Sequence, residues 1–157
     1  MHEYTDAFKW ERSRAALSML LGSTVYSIIE NYGMEALDKI AQKWLQNNQK
    51  AAPQLMKINN LTEKTLESVS KIINFTDTIY GVDGEWTEIT PDRAVKIEKS
   101  CPLAKQFPRE ICTKMFAGSM TGIARGVTGD ERFVCKMPKC LAGKDPDDCC
   151  EIIIERE

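Results

Sequence analysis

The sequence has almost no histidine. His2 is the only one and lies beside the first residue, where chain ends fray unless tied down. Histidine-based acid–base chemistry and Ser-His-Asp triads therefore have no base within the folded body. Neither a P-loop nor a dinucleotide fingerprint occurs, which removes the familiar phosphate cradles. No apolar run approaches the roughly 18 residues that a membrane span needs, so no membrane partner is expected. Charge of one sign is also scarce: 21 Lys and Arg stand against 23 Asp and Glu, for a net charge of -2. With no basic block or aromatic-interleaved basic stripe, nucleic acid is not an expected partner. The apolar stretch Ala15–Leu21 is short, follows acidic residues and runs on into an amphipathic pattern, so it reads as helix rather than secretion signal. A cytoplasmic location is expected on that ground. The sequons Asn60-Leu61-Thr62 and Asn74-Phe75-Thr76 are then chance matches, and stable disulfides are disfavoured.

What is present is an ordinary globular composition, 43% hydrophobic and 28% charged over 157 residues. A chain of this length buries roughly 70% of its unfolded surface and does not need disulfides to fold. The expectation is one domain over 1–157, mainly helical over 1–80, with sheet, helix and a cysteine-rich region over 81–157. Leu17, Leu20, Leu21, Val25, Ile28, Ile29 and Tyr32 recur at helical spacing up to Gly33, a helix stop. A second helix fits 34–50, and Pro53 opens a short third piece with Leu55, Met56 and Ile58. Asn60 and Glu63 predict a capped start for the next helix, whose face carries Leu61, Leu66, Val69, Ile72 and Ile73.

The pattern then changes. "WTEIT-PD-RAVKIE" alternates apolar and polar residues around a turn, as in a β-hairpin. Pro108 predicts a helix to about Arg125, holding Gly118, Gly122 and Gly126 four apart. Each glycine costs about 1 kcal/mol of helix propensity relative to alanine, so something approaches that stripe closely: a packed element or a bound ligand. "RFVCKM" and "CEIIIERE" read as two strands joined by a turn-rich loop. The fold class is α+β: N-terminal helices packed with a small antiparallel sheet and one inserted, glycine-striped helix.

Four of the six cysteines fall between residues 135 and 150. Cys135 and Cys140 bracket a turn with a proline, and Cys149 and Cys150 follow a loop able to fold back on them. With Cys112 from the striped helix they form a candidate tetrahedral zinc set: Cys112, Cys135, Cys140 and Cys150, with Cys149 as the alternative to Cys150. Neighbours on a strand face opposite sides, so only one of that pair joins a shared metal. An iron–sulfur cluster also takes four thiolates, but this spacing fits no standard cluster run. Unrelated buried cysteines and a redox-sensing thiol pair remain open alternatives.

"ICTKMFAGSMTGIARGV" followed by "ERFVCKMPKCLAGKDPDDCCEIII" resembles the 4-vinyl-reductase-like ligand-binding domains. "IIENYGMEALDKIAQKW" and "SCPLAKQF" are similar to L-2-amino-thiazoline-4-carboxylic acid hydrolase-like proteins. The resemblance implies a small-molecule sensor or binding domain, often dimeric, with a metal near the pocket held by three cysteines and one carboxylate. Carried over, it assigns Cys112, Cys140 and Cys150, with Cys135 near where the regulators of that type offer a glutamate. The loop "GKDPDDCC" is longer than the family pattern.

Three readings of function follow. The first is a zinc-binding module for a small apolar or heterocyclic molecule, with a structural metal. The second is a metal-dependent hydrolase of small heterocycles or amides, which needs an open coordination position. The third is a thiol redox sensor. The expected pocket lies between the striped helix and the sheet, with Met115, Phe116, Gly118, Met120 and Gly122 as candidate lining and Tyr80 and Trp86 nearby. Long apolar stripes on the first helices predict a homodimer.

Overall fold

The computed structural model describes residues 5–104 and 107–157. His2, and Lys105 and Gln106 of the "SCPLAKQF" stretch, lie outside the described residues. Helix α1 (Asp6–Ile58) is two helices joined at Gly33, whose φ of 75° and ψ of 179° are non-helical. That backbone region is accessible essentially to glycine alone, so the predicted stop becomes a kink. Pro53 does not open a new piece; the helix passes through it to Ile58. Proline supplies no N–H to the Gln49 carbonyl, and that carbonyl faces Gly126 of the striped helix instead.

The second start falls five residues later than predicted. Asn60 takes φ 54° at the turn that ends α1, and Leu61 N–H bonds the Met56 carbonyl at 2.9 Å. Asn60 is thus spent as a terminator. Helix α2 (Leu66–Tyr80) is capped by Thr65, whose hydroxyl accepts from Ser68 N–H at 3.3 Å.

Strands β1 (Asp83–Ile89) and β2 (Arg93–Ser100) form the predicted hairpin. A π-helical turn, Ile111–Phe116, then leads into α3 (Ala117–Thr128). Strands β3 (Phe133–Lys139) and β4 (Cys150–Arg156) close the chain. The sheet is antiparallel throughout, in the order β1-β2-β4-β3, and the fold is α+β as expected. Its inner face carries Ala94, Lys96 and Glu98 from β2 opposite Ile154, Ile152 and Cys150 from β4. Ile72, Ile73, Ala124 and Val127 of α2 and α3 belong to the same core. A second cluster, with Val25, Leu37, Ile111 and Met115, joins α1 to the π turn.

The glycine stripe has a packing role. Gly118, Gly122 and Gly126 meet the carbonyls of Ala41, Leu45 and Gln49, also four apart, on α1. Any side chain on that stripe would hold the two backbones apart.

Candidate functional site

Three cysteines from three separate elements meet at Cys140. Cys112 comes from the π turn, Cys140 from the end of β3 and Cys150 from the start of β4. The Cys112 and Cys150 thiols are both neighbours of the Cys140 sulfur, and Ala142 N–H reaches it at 3.4 Å. Those two thiols, with smaller help from Ala142 N–H and the Arg109 charge, hold the Cys140 thiol well below its ordinary pKa. Donation to Cys140 and burial push the Cys112 and Cys150 thiols up. The loop after Cys140 is closed by Asp147, whose carboxylate accepts from Cys140 N–H at 2.7 Å and pairs with Arg109 at 2.7 Å. π turns recur at functional sites, and Cys112 lies in this one.

A buried carboxylate that the sequence reading missed stands beside this cluster. Glu98 is 5% exposed and is the cross-strand partner of Cys150. Burial raises its pKa; Lys96 opposes the shift and the Cys140 charge adds to it. Lys96 is 1% exposed, lies 3.9 Å from Glu98 and is ion-paired to Asp77 of α2. Burial lowers the Lys96 pKa, and Glu98 works against that. Its ammonium also sits 5.7 Å from the Trp86 ring centroid. The signal was in the sequence: strand alternation puts Lys96 and Glu98 on the same face as Ala94, and that face is inward.

Among the described residues no group of three or more His, Cys, Asp or Glu side chains is arranged to hold a metal ion. The donor chemistry nevertheless suits one. Packed this closely, the three thiols cannot all ionise, and a divalent cation among them would supply the missing charge.

The fourth predicted ligand lies apart. The Cys135 sulfur contacts the Met120 sulfur and the Lys136 carbonyl, each at 3.9 Å. Burial, then the Glu98 charge, raises its pKa. Cys149 faces the other way, with Asp148, Lys139 and Glu151 as its charged neighbours. Cys101 is half-buried near Glu98, and its pKa is raised chiefly by burial.

A cavity of about 710 Å³ lies among α1, α2, α3 and the segment before the π turn. Phe116, Met120 and Tyr80 line it, with Leu21, Trp44, Ile73 and Phe107. Of the other residues expected there, Met115 is in the α1–π turn core, and Gly118 and Gly122 face the α1 backbone. Trp86 donates its indole N–H to Asn74 at 2.9 Å. None of the lining residues is on a strand, so the cavity lies on the helical side of α3 rather than between α3 and the sheet. Leu17 and Leu20 of its wall are 64% and 63% exposed, which marks the open side. Asp77 is also part of the lining. The chain Asp77–Lys96–Glu98 thus runs from the cavity to the cysteine cluster.

No protein-family model matches the sequence, and no curated protein matches it significantly. The fold is shared with solved structures. One is the phenol-responsive sensory domain of the transcription activator PoxR with phenol (TM-score 0.66, 14% identity, 88% of this chain and 74% of that one). Another is trafficking protein particle complex subunit 3 from Naegleria fowleri, covalently bound to palmitic acid (TM-score 0.64, 18% identity, 94% of this chain and 96% of that one). No helix among the described residues is long and apolar enough to cross a membrane.

Proposed function

We propose that this chain is a small-molecule-sensing module that binds an apolar ligand in the α1–α2–α3 cavity and carries a structural zinc ion at Cys112, Cys140 and Cys150. The observation that carries the reading is the cavity. It is within the size range of small-molecule sites, apolar for most of its wall, with few convergent polar groups. A shared fold with a phenol-responsive sensory domain supports it, as does the sequence resemblance to 4-vinyl-reductase-like domains. The metal assignment draws support from the meeting of three thiols drawn from the π turn, β3 and β4. Three thiols leave one position of a tetrahedral zinc shell, and Glu98 is the carboxylate at hand to fill it. A filled shell makes the ion structural, which favours sensing over hydrolysis.

Elemental analysis of protein purified without added metal tests the zinc. We expect about one zinc per chain. Cys140→Ser should lose both the metal and several kcal/mol of stability, because binding energy at a structural site is folding energy. Cys135→Ser and Cys149→Ser should keep the metal. Metal-free wild-type protein of undiminished stability rejects this part of the reading.

A homodimer belongs to the same proposal. Trp10, Leu17, Met19, Leu20, Tyr26 and Tyr32 of α1 are exposed large hydrophobics, which a second copy of the chain would cover. Light scattering at two concentrations should give twice the chain mass; a monomer at both dismisses it.

A further inference from the structure

Resting on the cavity assignment just made, we infer that Asp77 is its recognition point and that the ligand carries a hydrogen-bond-donating head, an amine or a hydroxyl, on an apolar body. Asp77 is the one carboxylate among the lining residues and is 8% exposed. It sits in the last turns of α2, where the helix dipole disfavours an acid and where the helix offers no basic residue of its own. Lys96 reaches it from β2 and bonds Oδ2. An ionised carboxylate accepts about four hydrogen bonds, so the Lys96 contact leaves acceptor capacity on a group that forms part of the cavity wall.

Four of the neighbouring polar groups lean the same way, because each commits a proton to the backbone; Asn47, Ser119 and Tyr80 line the cavity beside them. Ser18 Oγ donates to the Arg14 carbonyl at 2.8 Å, Thr24 to Leu20 at 2.8 Å and Thr76 to Ile72 at 3.1 Å. Asn48 gives its amide N–H to the Trp44 carbonyl at 2.9 Å. What these side chains still offer a ligand is mainly acceptor oxygens. A donor head meets partners there; a carboxylate head meets the like charge of Asp77 and is disfavoured.

The test uses four probes that share one body: 4-phenylbutylamine, 4-phenylbutanol, 4-phenylbutyrate and butylbenzene. Each is measured by displacement of the fluorescent apolar probe N-phenyl-1-naphthylamine from the full chain. We expect the amine, the alcohol or both to bind at least about tenfold tighter than butyrate and than butylbenzene, the step that a hydrogen bond to a charged group provides. Preference for the amine identifies a cationic head, and preference for the alcohol a neutral one; both support the inference. Asp77→Asn should shrink the margin over butyrate to within about threefold. The wild-type ranking stands by itself should that variant not fold. Butyrate binding as tightly as both donors overturns the inference and leaves the cavity assignment intact. No binding of N-phenyl-1-naphthylamine to the wild type removes the cavity assignment and this inference with it.

Discussion

Replacing Lys96 with alanine should cost about 3–5 kcal/mol of stability, read as a fall in urea midpoint at unchanged slope. The side chain is 1% exposed and is the cation between Asp77 and Glu98, both buried. Its removal takes from two buried carboxylates the lysine that faces both, and leaves Asp77 with no counter-charge. They would have to take up protons or draw in water, and each course is costly. The loss should be far larger than for an exposed pair such as Lys99–Glu85, with side chains 68% and 66% exposed, where Lys99→Ala should leave the urea midpoint near that of wild type. Lys96→Met should cost nearly as much as alanine, because the charge matters more than the volume. Adding Asp77→Asn to Lys96→Met should recover part of the loss, since one stranded charge is then gone. A Lys96→Ala midpoint within about 1 kcal/mol of wild type would show that the buried ionic chain is not needed to hold the sheet to α2.

The second large effect is expected at Gly122. Helix propensity alone makes Gly122→Ala favourable by about 1 kcal/mol. Packing reverses the sign. A Cβ there would lie 3.0 Å from the Leu45 carbonyl carbon, closer still to its oxygen, and 3.1 Å from Gln49 N. Backbone atoms of α1 cannot rotate aside as a side chain could, so the two helices must separate. A destabilisation of about 2–3 kcal/mol should follow, in the range of overpacked cores. Gly126→Ala should behave similarly, with its Cβ 2.5 Å from that of Ala52. Gly118→Ala should be milder, since its nearest contact is the Ala41 carbonyl oxygen at 3.0 Å. Thermal or urea unfolding of the three variants ranks them. Equal stability at all three positions would contradict the packing role of the stripe.

Local patterns made several features legible in advance. The alternation around Pro91-Asp92 located a hairpin, because a strand with one buried face repeats every two residues. The spacing of three glycines announced a close approach, although it could not say to what. α1 answers, through carbonyls that repeat at the same interval of four. Asn60 misled because a residue that caps one helix well also ends another well, and the choice depended on where α1 stopped. Pro53 misled for a related reason: its missing N–H lies opposite a helix rather than at an end.

By itself the sequence determined the element types, the α+β class and the candidate cysteines, since these follow from periodicity, turn residues and donor chemistry along the chain. Tertiary structure decided which side chains share a point in space. It brought Cys112, Cys140 and Cys150 together and set Cys135 and Cys149 apart. It also placed Lys96 between two buried carboxylates and opened a cavity on the helical side of α3. The physical reason is that strand pairing and helix crossing join residues far apart in the chain, as with Asp77 and Lys96 or Glu98 and Cys150. One-dimensional spacing carries no information about that register until the sheet has formed.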